Sequence, residues 1–315
     1  MNERRAQVLD LVTRHYIRAA HPVASAQIAK RLAVSSATVR HELSALEEQG
    51  YLQQPHTSAG RIPTAQAYRH YAGKFVPPKA LPQAQRQLLE QRLRGSHGEH
   101  LLQQIAGISA ELSGYAVVVR LPADDSLCAL EIHLSALSSS KLLAVVVLEN
   151  GLTRQVVVEL DPTPKDAVLR EAESSLRRLA LPIGILPKAL QDLAKHVEDD
   201  TARTLQALAA AWHHVTPATV FSRGLGNVLS EPESHDPSFV RSVVSRLEDP
   251  QLLASADVQQ ALAVILEEAL ALVSAQLELG NSQATLMLLG PMRMRYPETL
   301  MLARGVRDTV ASSLN

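Results

Sequence analysis

Between Ser35 and Pro63 the chain reads SSATVRHELSALEEQGYLQQPHTSAGRIP, and hydrogen-bonding side chains crowd its first half. Ser36, Thr38, His41 and Ser44 can each donate or accept, and the fork of Arg40 matches the two acceptors on a guanine edge. Such groups need a rigid carrier. Val39, Leu43 and Leu46 recur at i, i+4 and i+7, which predicts a helix with one apolar stripe, and Ser35 or Ser36 can cap its start. Glu47 and Glu48 fall at the far end, away from any phosphate, and Gly50 supplies a stop. Polar readers at the front and acids at the back suit entry into a DNA major groove, N-terminus first.

The flanking residues complete a motif. Arg4 to Ala19 carries apolar positions at Val8, Leu11, Val12 and His15 or Tyr16, the spacing of a helix packed on one face. His21-Pro22 ends it, because proline disfavours helical geometry in the residue before it. Ser25 is expected to cap a short helix over Ala26 to Leu32, so the order is helix-turn-helix with a third helix in front. Tyr51-Leu52-Gln53 and Arg61-Ile62 are the expected strands of a small wing, with His56, Thr57, Ser58, Ala59 and Gly60 at its tip. A further helix starts near Thr64 and places Tyr68, Tyr71 and Phe75 on one side. The candidate DNA contacts are therefore Ser35, Ser36, Thr38, Arg40, His41 and Ser44 on the helix, and His56, Thr57, Ser58 and Arg61 on the wing. The competing reading is a small helical subdomain that binds protein.

Charge favours nucleic acid. Residues 1–75 hold ten Lys and Arg against five acids, a net +5, and the remaining residues carry −6. A total near neutrality thus hides a basic head on an acidic body, and a basic head suits phosphate neutralisation. The 315 residues allow two or three domains, and low aromatic content requires cores of Leu, Val, Ile and Ala. The single cysteine, Cys128, excludes an internal disulfide or thiolate cluster and is expected as a small buried hydrophobe. No run approaches the ~20 apolar residues of a membrane span. The start Met-Asn-Glu-Arg-Arg does not resemble a signal peptide, so a soluble cytoplasmic protein is expected.

Val76-Pro77-Pro78-Lys79-Ala80-Leu81-Pro82 reads as a stiff, extended boundary. Gln83 to Arg94 is helical by composition, and a second helix has Leu101, Leu102, Ile105, Ile108 and Leu112 on one side. Then the period changes. Tyr115 to Leu121, Leu127 to Leu134, Leu142 to Glu149 and Leu152 to Leu160 are strand-like, and Asn150-Gly151 is a strong hairpin signal. One antiparallel sheet with helices on one face is expected. Helices beginning near Thr163, Pro187 and Glu198 follow, the last two reading as a helical insertion. Ala218 to Phe221 returns as a strand, and Asp236-Pro237 opens a helix. Val264 to Leu279 fits helix or strand, Leu277 to Leu289 reads as a hairpin, and Pro297 opens a last helix.

The string VSSATVRHELSALEEQGYLQQPHTSAGRIPTAQAYRHY, with its PHTSAGRIP core, resembles the heat-inducible transcription repressor family HrcA. The resemblance continues more weakly through IAGISAELSGYAVVVRLP, FSRGLGNVLSEPESHD and GPMRMRY. It implies an α+β multidomain fold: a winged helix-turn-helix over residues 1–75, a linker over 76–98, and a GAF-like α/β domain with an antiparallel sheet. That domain is expected in two parts, 99–180 and 218–315, around an inserted helical dimerisation segment at 181–217. The resemblance further implies a homodimer on double-stranded DNA, at the inverted-repeat operator CIRCE upstream of groE and dnaK genes. The chaperonin GroEL is the implied modulator. Arg40 matches the family's reading helix by identity, whereas His41 matches it by position.

Other chemistry is poorly supported. His97 and His100, and His213-His214, lack further ligands at metal spacing. Gly224-Leu225-Gly226-Asn227 lacks the further glycine of a nucleotide fingerprint. No cofactor is expected, and no acid–base set for an enzyme is legible. A metabolite-sensing winged-helix regulator and an enzyme on the α/β domain are the rival functions.

Overall fold

The computed structural model describes residues 1–56, 59–177, 181–212, 218–248, 261–267, 269–280 and 282–313. The first unit is three helices and a wing. Helix α1 (Glu3–Ala19) starts at Asn2, whose side chain accepts the Arg5 N–H, and buries Val8, Leu9, Val12 and Ile17. Helix α2 (Ser25–Leu32) begins one residue earlier than expected: Ala24 is its cap residue, and the Ala24 N–H bonds to the Gln27 side chain at 3.1 Å. Ser25 is therefore inside the helix, which frees its hydroxyl for other partners. Helix α3 (Ser36–Glu48) is capped by Ser35, whose hydroxyl accepts the Thr38 N–H at 3.0 Å. Strands β1 (Leu52–Gln53) and β2 (Ile62–Pro63) pair antiparallel to make the wing. Val39, Leu43 and Leu46 join Val8, Leu9, Val12, Ile28 and Leu52 in one core.

Helix α4 (Ala65–Gly73) turns its aromatic side toward the rest of the chain. Tyr68 and Tyr71 lie 6.3 and 6.5 Å from Tyr296, measured between ring centroids, and Phe75 lies edge-on to Tyr71. Burial raises the phenol pKa values of Tyr68 and Tyr296 far above the ordinary tyrosine range. The proline-rich boundary is also packed down. Arg304 donates to the Pro78 carbonyl, and Leu81 is buried so closely on Gly305 that an added Cβ would lie 2.6 Å from it. Helix α5 (Gln83–Leu93) follows with Leu89 and Leu93 buried.

The body holds two antiparallel sheets where one was expected. The larger has five strands in the order β7-β3-β10-β9-β8. Its members are β3 (Ala116–Leu121), β7 (Thr219–Arg223), β8 (Leu262–Glu267), β9 (Leu270–Leu279) and β10 (Ser282–Pro291). The ambiguous stretch from Val264 is thus two strands, and β9 with β10 is the expected hairpin. Helix α6 (Gly98–Ser113) and the last helix, α12 (Tyr296–Ser313), share a core with one face. On the other face Val228 of α10 (Leu225–Leu229) and Phe239 and Val243 of α11 (Pro237–Glu248) pack on Val118, Leu272 and Met287.

The smaller sheet is β4 (Ala129–Ser138), β5 (Lys141–Leu148) and β6 (Thr153–Glu159), in that order. Gly151, at a positive φ of 78°, closes the expected β5–β6 hairpin. The split has a physical cause. Strand β3 is buried along almost its whole length, as a central strand must be, whereas β4 to β6 alternate buried and exposed. The second group has a single packed face, so it needs its own cover. Helices α7 (Asp166–Leu176), α8 (Leu186–Leu193) and α9 (Asp199–Ala211) supply it with Leu169, Ala172, Leu190, Leu205 and Leu208. Everything from β4 to α9 lies in the chain between β3 and β7, which are neighbours in the large sheet. The expected boundary between 99–180 and 181–217 therefore runs through this second layer. Cys128, expected to be buried, is partly exposed, with its backbone in an isolated bridge to Pro182.

Trp212 closes the second layer. Its indole N–H donates to the Ile183 carbonyl at 2.9 Å, with the ring buried. Trp212→Phe keeps most of the apolar surface but leaves that carbonyl unpaired. The expected loss is about 1–3 kcal/mol of unfolding free energy, measurable by chemical denaturation.

Candidate nucleic-acid interface

Helix α3 divides into two faces. Val39, Glu42, Leu43 and Leu46 are buried, and Ala37, Arg40, His41, Ser44 and Glu48 point outward. Glu42 is held by Arg5 of α1 at 2.9 Å, an ion pair with little exposure that pins the helix to the core. Sequence reading missed this pair, since charge spacing along one helix cannot reveal a partner on another.

The predicted contacts separate by what already engages them. Ser35 is the cap, and its hydroxyl lies 2.8 Å from that of Thr38, so both are turned to the helix end. Ser36 lies 3.0 Å from the Ser25 hydroxyl, bridging α2 and α3. Arg40 is exposed, and its Nε lies 3.4 Å from the same Ser25 oxygen. Ser25, expected only as a cap, is thus the link that orients Arg40. His41 and Ser44 are exposed beside it.

The wing is anchored at its root. Arg61 exchanges both backbone hydrogen bonds with Val23, at 2.9 and 3.0 Å. A Cβ on Gly60 would approach the Val23 carbonyl oxygen to 2.4 Å, so glycine is needed for this close crossing. The Arg61 guanidinium, expected to reach phosphate or the minor groove, is instead paired with Glu47 at 2.9 Å and mostly covered. The acid at the back of α3 therefore has a structural partner. His56 is exposed, with its carbonyl accepting from Ala59 at 2.8 Å. Thr57 and Ser58 lie outside the described residues. Arg40, Ser44, Gly60 and Arg61 meet around a groove of about 420 Å³ between α2, α3 and the wing root.

Charge on the head is unevenly engaged. Arg5, Arg14, Lys74 and Arg61 are in ion pairs with Glu42, Asp10 and Glu47. Arg4, Arg18, Lys30, Arg31, Arg40 and Arg69 are exposed and form no ion pair among the described residues. A set of exposed cations without acid partners is what a phosphate backbone attracts.

Comparison with known proteins agrees with this geometry. The LexA DNA binding domain family matches residues 1–60. The HrcA protein C terminal domain family matches residues 99–300, well over half of the chain. This chain belongs to the HrcA family. A heat-inducible transcription repressor HrcA from Cyanothece sp. is 33% identical over 317 residues, covering 93% of this chain and 85% of the relative. One from Shouchella clausii is 29% identical over 338 residues, covering 100% and 98%. A crystal structure of a hypothetical protein shares the fold, with a TM-score of 0.70 at 21% identity over 100% of this chain and 98% of that one. The HrcA assignment makes the protein a DNA-binding transcription repressor and excludes the enzyme reading. No helix among the described residues is long and apolar enough to cross a membrane.

Arg40 carries the sharpest expectation. Arg40→Ala should weaken binding to the cognate duplex by about 1–3 kcal/mol and relax preference at the base position it reads. Competition titration against duplexes altered one base at a time measures both effects.

Proposed function

We propose that this HrcA-family repressor binds an inverted-repeat operator of the CIRCE type as a homodimer and silences groE- and dnaK-type chaperone operons in the cytoplasm. Each protomer lays α3 in a major groove, with Arg40, His41 and Ser44 toward the bases. Ser35, Ser36 and Thr38 sit at the helix start near phosphate, and the proposed wing contacts are His56, Thr57 and Ser58. Arg61 acts there by fixing the wing root through Glu47 and Val23. The observation that carries this reading is the outward stripe of α3. Arg40, His41 and Ser44 are exposed on it, and its other face is committed to the core.

The proposed domains are a head over residues 1–75, a packed linker over 76–98, and a GAF-like domain built on the five-stranded sheet. The dimerisation insert in this reading is the whole second layer, β4 to α9. Its outer face supports that role. Val157 is more than half exposed and Leu143, Val145 and Val147 on the same face are only partly covered, while Leu130 and Leu137 stand exposed at the two register shifts of β4. Such an apolar face on a sheet already packed on its other side marks an association surface, and an inverted repeat asks for a two-fold protein. GroEL is the proposed modulator: a repressor that needs chaperonin to stay folded reports chaperonin supply.

Val157→Asp tests the assembly. Val157 pairs with Leu143 across the sheet, so the new carboxylate sits on the outer face beside the partly covered Leu143. Sedimentation should show the unaltered protein as a dimer and the variant as a folded monomer with much weaker binding to the full inverted repeat. A variant that stays dimeric and binds unchanged places the interface elsewhere. An unaltered protein that is monomeric on its operator removes the dimeric reading.

A further inference from the structure

We propose that Arg293 is a positioning residue for operator recognition, one that touches no DNA and sets the angle at which the body presents each reading helix. The proposal rests on the dimeric reading above. Arg293 stands in the turn between β10 and α12, within the run GPMRMRY that the head's DNA contacts leave unexplained. Its side chain is only 11% exposed. One edge of the guanidinium grips Glu233 bidentately, Nε at 2.6 Å and Nη2 at 2.9 Å, and Nη2 also bonds Glu231. Its remaining nitrogen, Nη1, points across the seam to the Ile17 carbonyl at 3.4 Å.

Ile17 belongs to the last turn of α1, where carbonyls have no partner inside the helix and the dipole favours a cation. The body thus supplies part of the C-terminal cap of a head helix. Arg295, two residues on, does the corresponding task inside the body, donating to the Ser113 carbonyl at the end of α6 at 2.9 Å. One turn therefore grips two helix ends, one on each side of the seam.

The distinction from simple adhesion lies in direction. Tyr68, Tyr71 and Tyr296 hold head to body by apolar burial, which is not directional. Glu231 and Glu233 hold the guanidinium in one orientation within the body, so its single bond across the seam to the Ile17 carbonyl has a set direction and favours one rotation of the head. A single half-site is indifferent to that rotation. Two half-sites are not, because their spacing follows the helical turn of DNA, roughly 34–36 Å. Loss of Arg293 should therefore be felt in spacing, and hardly at all by one head on one half-site.

The test uses the full chain, Arg293→Gln and Arg293→Lys, by fluorescence anisotropy in matched salt. Three duplexes are compared: one half-site, the inverted repeat, and the repeat with its spacer lengthened by half a turn, about 5 base pairs. The unaltered protein should prefer the native spacer. Arg293→Gln should keep half-site affinity, lose roughly tenfold on the native repeat, a common size for coupling between distant sites, and discriminate little between spacers. Arg293→Lys keeps the charge without the fork, should fold normally, and should fall between the two. Equal loss on half-site and repeat would overturn the proposal in favour of a purely structural role. So would Arg293→Lys matching the unaltered protein on every duplex. If the unaltered protein binds half-site and repeat equally, the dimeric reading itself fails, and this role for Arg293 falls with it.

Discussion

Tyr296 is fully buried at the start of the last helix, and the placement of the DNA-reading head depends on what it packs against. Tyr68 and Tyr71 of α4 close on it, Ile17 of α1 joins the same core, and the proline-rich stretch that follows is fastened to α12. A helix-turn-helix unit of this size has a small core of its own, and small units bury too little surface to be robust alone. The aromatic seam extends that core into the body. It also means that the head's orientation is part of the fold, where a flexible tether would leave it free. On the proposed inverted-repeat operator, that orientation is functional information.

Much of the head was legible in the sequence because its determinants are local. The i, i+4, i+7 stripe of Val39, Leu43 and Leu46, the cap at Ser35 and the wing strands around Gly60 are each settled within a few residues. What escaped was set between elements. Ser25 looked like a cap, but Gln27 reaches back to Ala24 and releases its hydroxyl to Ser36 and Arg40. Glu42 and Arg5, and Glu47 and Arg61, are partners from different elements, and only the fold brings them together. Arg61, expected at phosphate or the minor groove from its place on the wing, has a carboxylate partner in the fold.

The body was legible strand by strand and misread as a whole. Nearly every strand-like run is a strand, yet the runs divide between two sheets, since β3 must pair with β7 nearly a hundred residues on. Pairing of that kind leaves no local trace. The alternation of β4 to β6, against the uniform burial of β3, was the signal that could have separated them. The proposed insert is drawn wider than the helices because β4 to β6 share their packed layer with α7 to α9.

The chain is an HrcA-family repressor, with its specificity proposed to reside in the outward stripe of α3 and its affinity in exposed head cations. Footprinting the full protein over the region upstream of the chaperonin operon in its own genome tests that account most directly. It predicts two protected half-sites related by a two-fold axis, with major-groove guanines shielded, and protection that weakens steeply as salt rises. Uniform protection along the duplex, or none at low salt, would contradict it.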